Sequence, residues 1–366
     1  MINYKILQHK TETSDGRKVW YIAEMLGIVM ELDLETLELK CIKRIPVVNG
    51  QVSHRGIFYF SQKLYIIPFY DDKLYIYDTE TGKFDACVLG TMELMSCVER
   101  DEYLYFYGWR PVIVKYNPRN QTIEYIQLNL EEALPGHKVE HWFWTESFSK
   151  DGCIYLPVQN TNLLVRLDEN DRASFFCLGK DPEKWVLRSV GCNEENFFSI
   201  YSEGAMENLK IKVSVYSSKG DRECICDVDI GSNYVIYPFT YAIYVSGKWF
   251  IMPYGMNCIY AIDLKTEILA ELYSFDYSLI KNVANTKNGL FTCVFMGNDG
   301  CIWSINQVNG KLFQINAKTQ KVVEHDVVWN KKASYEVLTG TMDQQFMMIE
   351  TEEFVELEDF LNYVVQ

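Results

Sequence analysis

Residues 73–88 read KLYIYDTETGKFDACV. An aromatic and β-branched run ends in Asp78, polar residues turn the chain, and a second run leaves from Phe84. An aspartate at the end of a strand can accept backbone N–H groups two and three residues on, so the stretch reads as a β-hairpin whose anchor caps its own turn. The same pattern recurs as GIVMELDLETLELKCI around Asp33, VIVKYNPRNQTIEYIQL around Asn117 and LLVRLDENDRASFFCL around Asp168. It returns as KVSVYSSKGDRECICDV around Ser217, CIYAIDLKTEILAELY around Asp263 and KLFQINAKTQKVVEHDV around Asn316. Successive anchors lie 45, 39, 51, 49, 46 and 53 residues apart, a period of the size that marks repeat architectures.

Two further strands precede each hairpin. The nearer is rich in aromatics (KVWYIAEM, KLYIIP, EYLYFYG, CIYLPV, NFFSIY, KWFIMPY, CIWSIN), and Pro68, Pro157 and Pro253 fall 10, 11 and 10 residues before their anchors. The farther one appears as RGIFYF, LMSCVE, WFWTESF, VLRSVG, FTYAIYV and GLFTCVF. Four short antiparallel strands per repeat predict an all-β fold, a single β-propeller over residues 1–350 with about seven four-stranded blades and eight as the alternative. SYEVLTG and QFMMIE read as two more strands that could complete the first unit together with Tyr4 to His9. In residues 351–366, Phe354, Leu357, Leu361 and Val364 share one helical stripe, which predicts a short C-terminal amphipathic helix packed on the propeller.

The composition agrees with strands. Aromatics make up 14% of the 366 residues and Pro is scarce at 9. The net charge of −15 opposes binding to phosphate backbones and anionic lipid surfaces, so neither nucleic acid nor membrane is expected as a partner. The first residues hold no apolar leader segment and no window approaches 18 apolar residues, which predicts a cytoplasmic protein. Eleven cysteines without a C-x-x-C pair suit buried, reduced thiols.

The hairpins LYIYDTETGKF, IYAIDLKTEIL and LFQINAKTQKV resemble those of YVTN and quinoprotein-like propellers, a superfamily-level likeness that covers almost the whole chain and names no activity. The Trp-Asp dipeptide of WD repeats and the Gly-Gly pair of kelch repeats are both missing. The resemblance implies ligand binding on the face that carries the connections between second and third strands and between successive blades, where a rigid scaffold holds variable loops.

Phosphate-cradling glycine loops and the G-x-S-x-G elbow are absent. His137 and His141 fall in an H-x-x-E-H spacing, but Pro135-Gly136 just before and WFWTESF just after argue against the helix that a zinc protease needs there. With five dispersed histidines no metal ligand set is assigned and no cofactor is expected, although a divalent ion in a propeller channel stays open. Aromatics beside amides and cations on the presumed loop face give the candidate ligand-binding residues Trp109, Arg110, Tyr70, Asn160, Tyr254, Asn257, Arg55 and His141. The short connection GWRPV is expected to expose Trp109 as a stacking platform beside Arg110. The predicted function is a non-enzymatic binding module for a peptide, protein or carbohydrate. The alternative is a propeller enzyme of lyase, lactonase or glycoside hydrolase type, drawing on Glu93, Glu140, Glu146 and Glu203 with His54 and His141.

Overall fold

The computed structural model describes residues 9, 11–23, 27–48, 51–129, 139, 141–143, 147–159, 161–177, 185–192, 196–203, 210–217, 226–229, 239–263, 265–266, 268–276 and 289–330. Among them the fold is an all-β propeller fold with four-stranded antiparallel blades and no α-helix. Sheet A spans 12–44 and adds 328–329; sheets B to G span 54–88, 94–127, 148–177, 185–229, 239–274 and 295–326. Strands follow one another in chain order across each sheet. Sheets B to G are four-stranded, whereas sheet A has five strands because Val328–Trp329 pairs in parallel with Glu38–Arg44. The expected count of seven four-stranded blades, or eight, is therefore corrected to six, the other large sheet carrying a strand from far along the chain. The C-terminal helix, SYEVLTG and QFMMIE lie outside the described residues.

The chain forms two compact units, one of residues 1–86 with 290–366 and the other of residues 87–289. In the first unit, sheet A buries both faces of its middle strands. Val19, Tyr21, Ala23 and Met30 pack with Phe295, Trp303 and Leu312 of sheet G, while Trp20, Ile22 and Val29 pack with Ile57, Leu64 and Ile66 of sheet B. In the second unit, Ile154, Leu156 and Val165 of sheet D pack on Tyr105, Tyr107 and Ile113 of sheet C, and the other face of sheet D meets Leu187 of sheet E. A sheet covered on both faces needs near-continuous apolar strands, which is why KVWYIA lacks a polar alternate. The outer strands Phe84–Val88 and Ile123–Gln127 are largely exposed.

The anchors behave as their chemistry predicts. Asp78 Oδ1 accepts from the N–H groups of Glu80 (3.1 Å) and Thr81 (2.8 Å), and Asp33, Asn117, Asp168, Asp263 and Asn316 each accept in the same way from their own turns. The N–H and the hydroxyl of Thr81 hold the Asp78 carboxyl below the ordinary aspartate range. Pro68, Pro157 and Pro253 each close the second strand of their sheet. The run WFWTESF departs from its expected role: the inner strand of sheet D starts only at Phe148, and Trp142 and Phe143 instead fill the core between sheets C and D. Cys41, Cys87, Cys97, Cys153, Cys258, Cys293 and Cys301 are free thiols, all but Cys87 buried.

Four hairpins between first and second strands turn in two residues of positive φ: Ser61-Gln62, Asp101-Glu102, Asp151-Gly152 and Ser246-Gly247. This left-handed pair gives the turn a twist that matches the strands, yet a side chain there costs about 1 kcal/mol. Gln62 is exposed at φ 62°. Gln62→Gly is therefore expected to raise stability by about 0.5–1 kcal/mol, read as a higher urea midpoint at unchanged slope. A lower midpoint would show that the Gln62 side chain itself supports the turn.

Candidate functional site

Where the second strand hands over to the third, the inner strand of four sheets carries one extra residue. The bulges fall at His54/Gly56, Leu94/Ser96, Leu187/Ser189 and Phe239/Tyr241, so Arg55, Met95, Arg188 and Thr240 are the inserted residues. A bulge at a strand end bends the strand and re-aims its side chains.

In sheet B the inserted residue is Arg55. Its guanidinium lies 4.3 Å from the centre of the Phe69 ring and 5.1 Å from that of Tyr70, and Nη2 donates to the Tyr70 hydroxyl at 3.2 Å. The backbone brings these groups together: the N–H groups of Phe69 and Tyr70 both donate to the Ser53 carbonyl, at 2.8 and 2.9 Å. Phe69 is fully buried and Tyr70 is half-buried, so the cation rests on a fixed aromatic floor.

The neighbouring His54 is not available for proton transfer to a substrate. It is fully buried, stacked on Tyr75, with Nε2 2.6 Å from the Lys73 carbonyl and Nδ1 2.6 Å from Ser53 Oγ. A carbonyl only accepts, so Nε2 carries a proton, while the Ser53 hydroxyl, 2.6 Å from Nδ1, donates to the Pro46 carbonyl at 2.6 Å. Burial dominates the hydrogen bond to the Lys73 carbonyl and the nearby Asp71 charge, lowering the His54 pKa to about 4.

In sheet C the second strand ends at Gly108, where a Cβ would sit 2.1 Å from the Glu93 carbonyl oxygen. Only glycine permits that approach. It lets the Trp109 N–H donate to the same carbonyl at 2.8 Å while Glu93 takes a φ of 64°. The Trp109 and His141 rings lie 3.8 Å apart, tilted by 31°, and Arg110 Nε pairs with the Glu93 carboxylate. Phe143 N–H donates to the Gly108 carbonyl and Trp142 N–H to that of Trp109, tying the His141 segment to this loop. Trp109 is thus half-buried under His141 rather than fully exposed, and Arg110 is 54% exposed on its carboxylate partner.

The remaining candidates stand elsewhere. Tyr254 is half-buried, its ring so close to Gly289 that a Cβ there would fall 2.1 Å from it. Asn257 accepts from the Cys258 thiol through Oδ1 and from the Phe275 N–H through its carbonyl, which serves the local sheet. Asn160, His137, Glu140 and Glu146 lie outside the described residues. The structure therefore assembles two groups, Arg55 with Tyr70 in the first unit and Trp109, Arg110 and His141 in the second. Sequence reasoning missed the role of Phe69 beneath Arg55 and the tie of Glu93 to Arg110. Bulges and ring stacking leave no signature in residue spacing.

No protein-family model and no curated protein sequence matches this chain. Among solved structures it is similar to virginiamycin B lyase from Staphylococcus aureus, with a TM-score of 0.59 at 13% identity over 84% of this chain and 95% of that one. A streptogramin B lyase structure matches with a TM-score of 0.58 at 15% identity, covering 82% of this chain and 90% of that one. A chain of the mitotic checkpoint complex matches at 0.56 and 11% identity, covering 90% and 89%. At such identities the likeness shows the propeller fold alone.

Proposed function

We propose that this chain is a non-enzymatic propeller binding module whose loop-bearing sheet ends hold a peptide segment, a protein surface or a sugar. The observation that carries the reading is the Arg55 guanidinium set over the Phe69 and Tyr70 rings, a flat cation on an aromatic base suited to a carboxylate, a carbonyl or the face of a ring. Trp109 with His141 offers a second aromatic surface beside a half-exposed Arg110. A net charge of −15 favours a neutral or basic partner over a phosphate-rich one, and the reading places the protein in the cytoplasm without a cofactor for its binding task. The neighbour from the mitotic checkpoint complex, a propeller within an assembly, is in keeping with it.

The alternative, an enzyme, draws on the lyase neighbours and on Glu93 and His141, an acid and a base brought to one loop. Arg110 holds the Glu93 carboxylate in an ion pair, which favours binding over proton transfer. Peptide and glycan panels probed with the full chain decide between them. For a ligand so found, Arg55→Ala or Trp109→Ala, according to which of the two groups holds it, should weaken binding about 30-fold, Arg55→Lys restoring only part of the Arg55 loss, and Lys83→Ala, an exposed residue of a turn, should change nothing. Turnover of a glycoside, lactone or peptide, or undiminished binding by both alanine variants, would overturn the proposal.

A further inference from the structure

His9, Glu12 and Cys293 meet in the first unit, apart from both groups described above. Glu12 opens the inner strand of sheet A opposite Tyr21, on the face turned to sheet G, whereas Thr11 and Thr13 on the other face bond the backbone of sheet B. Cys293 just precedes Phe295–Met296, the inner strand of sheet G. The ligand atoms of the three side chains all lie within 4.8 Å of one another, and His9 Nε2 is 3.1 Å from Glu12 Oε2. The His9 and Glu12 side chains are 1% and 2% exposed and Cys293 is 7% exposed.

Glu12 poses the physical question. Among the described residues neither of its carboxylate oxygens accepts a well-aligned hydrogen bond, the His9 ring lying 3.1 Å away, and a carboxylate taken out of water without donors is strongly disfavoured. The His9 ring, by contrast, is positioned. Buried Gln307 donates from Nε2 to the His9 carbonyl at 3.0 Å, lies 3.4 Å from His9 Nδ1 and meets Thr292 Oγ1, leaving Nε2 turned to Glu12.

We propose that His9 Nε2, the Glu12 carboxylate and Cys293 Sγ bind one divalent ion of the zinc class. A cation would answer the buried charge on Glu12. The mixed donor set selects the metal, since thiolate and imidazole together suit zinc and not the hard, oxygen-seeking magnesium or calcium. Zinc bonds of about 2.0–2.3 Å place tetrahedral ligands roughly 3.3–3.8 Å apart, so the cluster needs to close by only about 1 Å. The fourth position is left to water or another donor. The ion would fasten the start of sheet A to sheet G.

The test uses the full chain, loaded with zinc or with cobalt(II) as the spectroscopic substitute. After dialysis one ion per chain should remain, zinc should raise the melting temperature, and cobalt should give a thiolate charge-transfer band. Cys293→Ser should abolish that band and weaken zinc binding by at least about 100-fold, more than loss of an outer-shell partner would. Cys258→Ser, another buried thiol, should leave both unchanged. Glu12→Gln keeps the shape of the site while removing its charge; it should fold without metal and lose zinc binding to a similar degree. The proposal fails if no stoichiometric ion is retained and zinc leaves the melting temperature unmoved, if the cobalt band persists in Cys293→Ser, or if Glu12→Gln binds zinc like the parent.

Discussion

Trp20→Ala is expected to lower stability by about 4–5 kcal/mol, because it empties a large buried volume and removes a donor from a buried carboxylate at once. The indole is 1% exposed, stacks on Tyr59 of sheet B at 5.0 Å and donates from Nε1 to Glu31 Oε2 at 2.8 Å. Glu31 also takes the ammonium groups of Lys18 and Lys40, at 2.8 and 2.9 Å. Burial alone would raise its pKa, but these three donors outweigh burial and hold it below the usual range. Trp20→Phe retains most of the packing and should lose only about 1–2 kcal/mol, the scale of a hydrogen bond to a charged group. Urea unfolding of the three proteins separates the contributions. Equal losses in the two variants would show that the hydrogen bond, not the packing, carries the effect.

Acidification should reveal His54. Its folded pKa of about 4 lies below the ordinary histidine value near 6.5, so over this window the unfolded chain binds the proton more readily and stability falls as the pH falls. The contribution is complete above pH ~6.5 and is withdrawn progressively down to about pH 4, amounting to about 3 kcal/mol. Substitution by glutamine removes the titrating ring, and in His54→Gln the slope between pH 7 and 4 should flatten even though the variant starts from lower stability. Below that window the capped aspartates add a second decline in the same sense, since Asp33, Asp78 and Asp263 are held below their ordinary range. A parent whose stability is level from pH 7 to 4.5 would contradict the burial of a neutral imidazole.

The propeller was legible because its signal is local. An Asx residue capping its own turn and a proline closing the second strand act within a few residues, so spacing alone exposes the repeat. The strand Val328–Trp329 was not legible, because two residues added in parallel to the edge at Glu38–Arg44 have no local pattern to announce them. The same division holds for the candidate sites. Trp109 and Arg110 could be chosen as an aromatic and a cation on a short connection, but Glu93 beneath Arg110 and His141 against Trp109 are placed by tertiary contacts. His9, Glu12 and Cys293 come from opposite ends of the sequence, where no motif of fixed spacing can join them.

The parallel pairing of Val328–Trp329 with sheet A also bears on the order of events during synthesis. Asn330 donates to the Glu38 carboxylate and its N–H to the Leu39 carbonyl, joining residues 292 positions apart in the first case. The unit of residues 87–289 is continuous and can reach its own pairings while later residues are still on the ribosome, whereas the unit built from both ends of the chain cannot. Until residue 329 emerges, the outer edge of sheet A keeps unsatisfied backbone groups open to pairing with another chain, the exposure that native sheets otherwise guard against. A nascent chain stalled before that point is expected to be held by chaperones through sheet A, and a circular permutant opened between residues 86 and 87 would relieve the delay by making the two segments of the first unit contiguous.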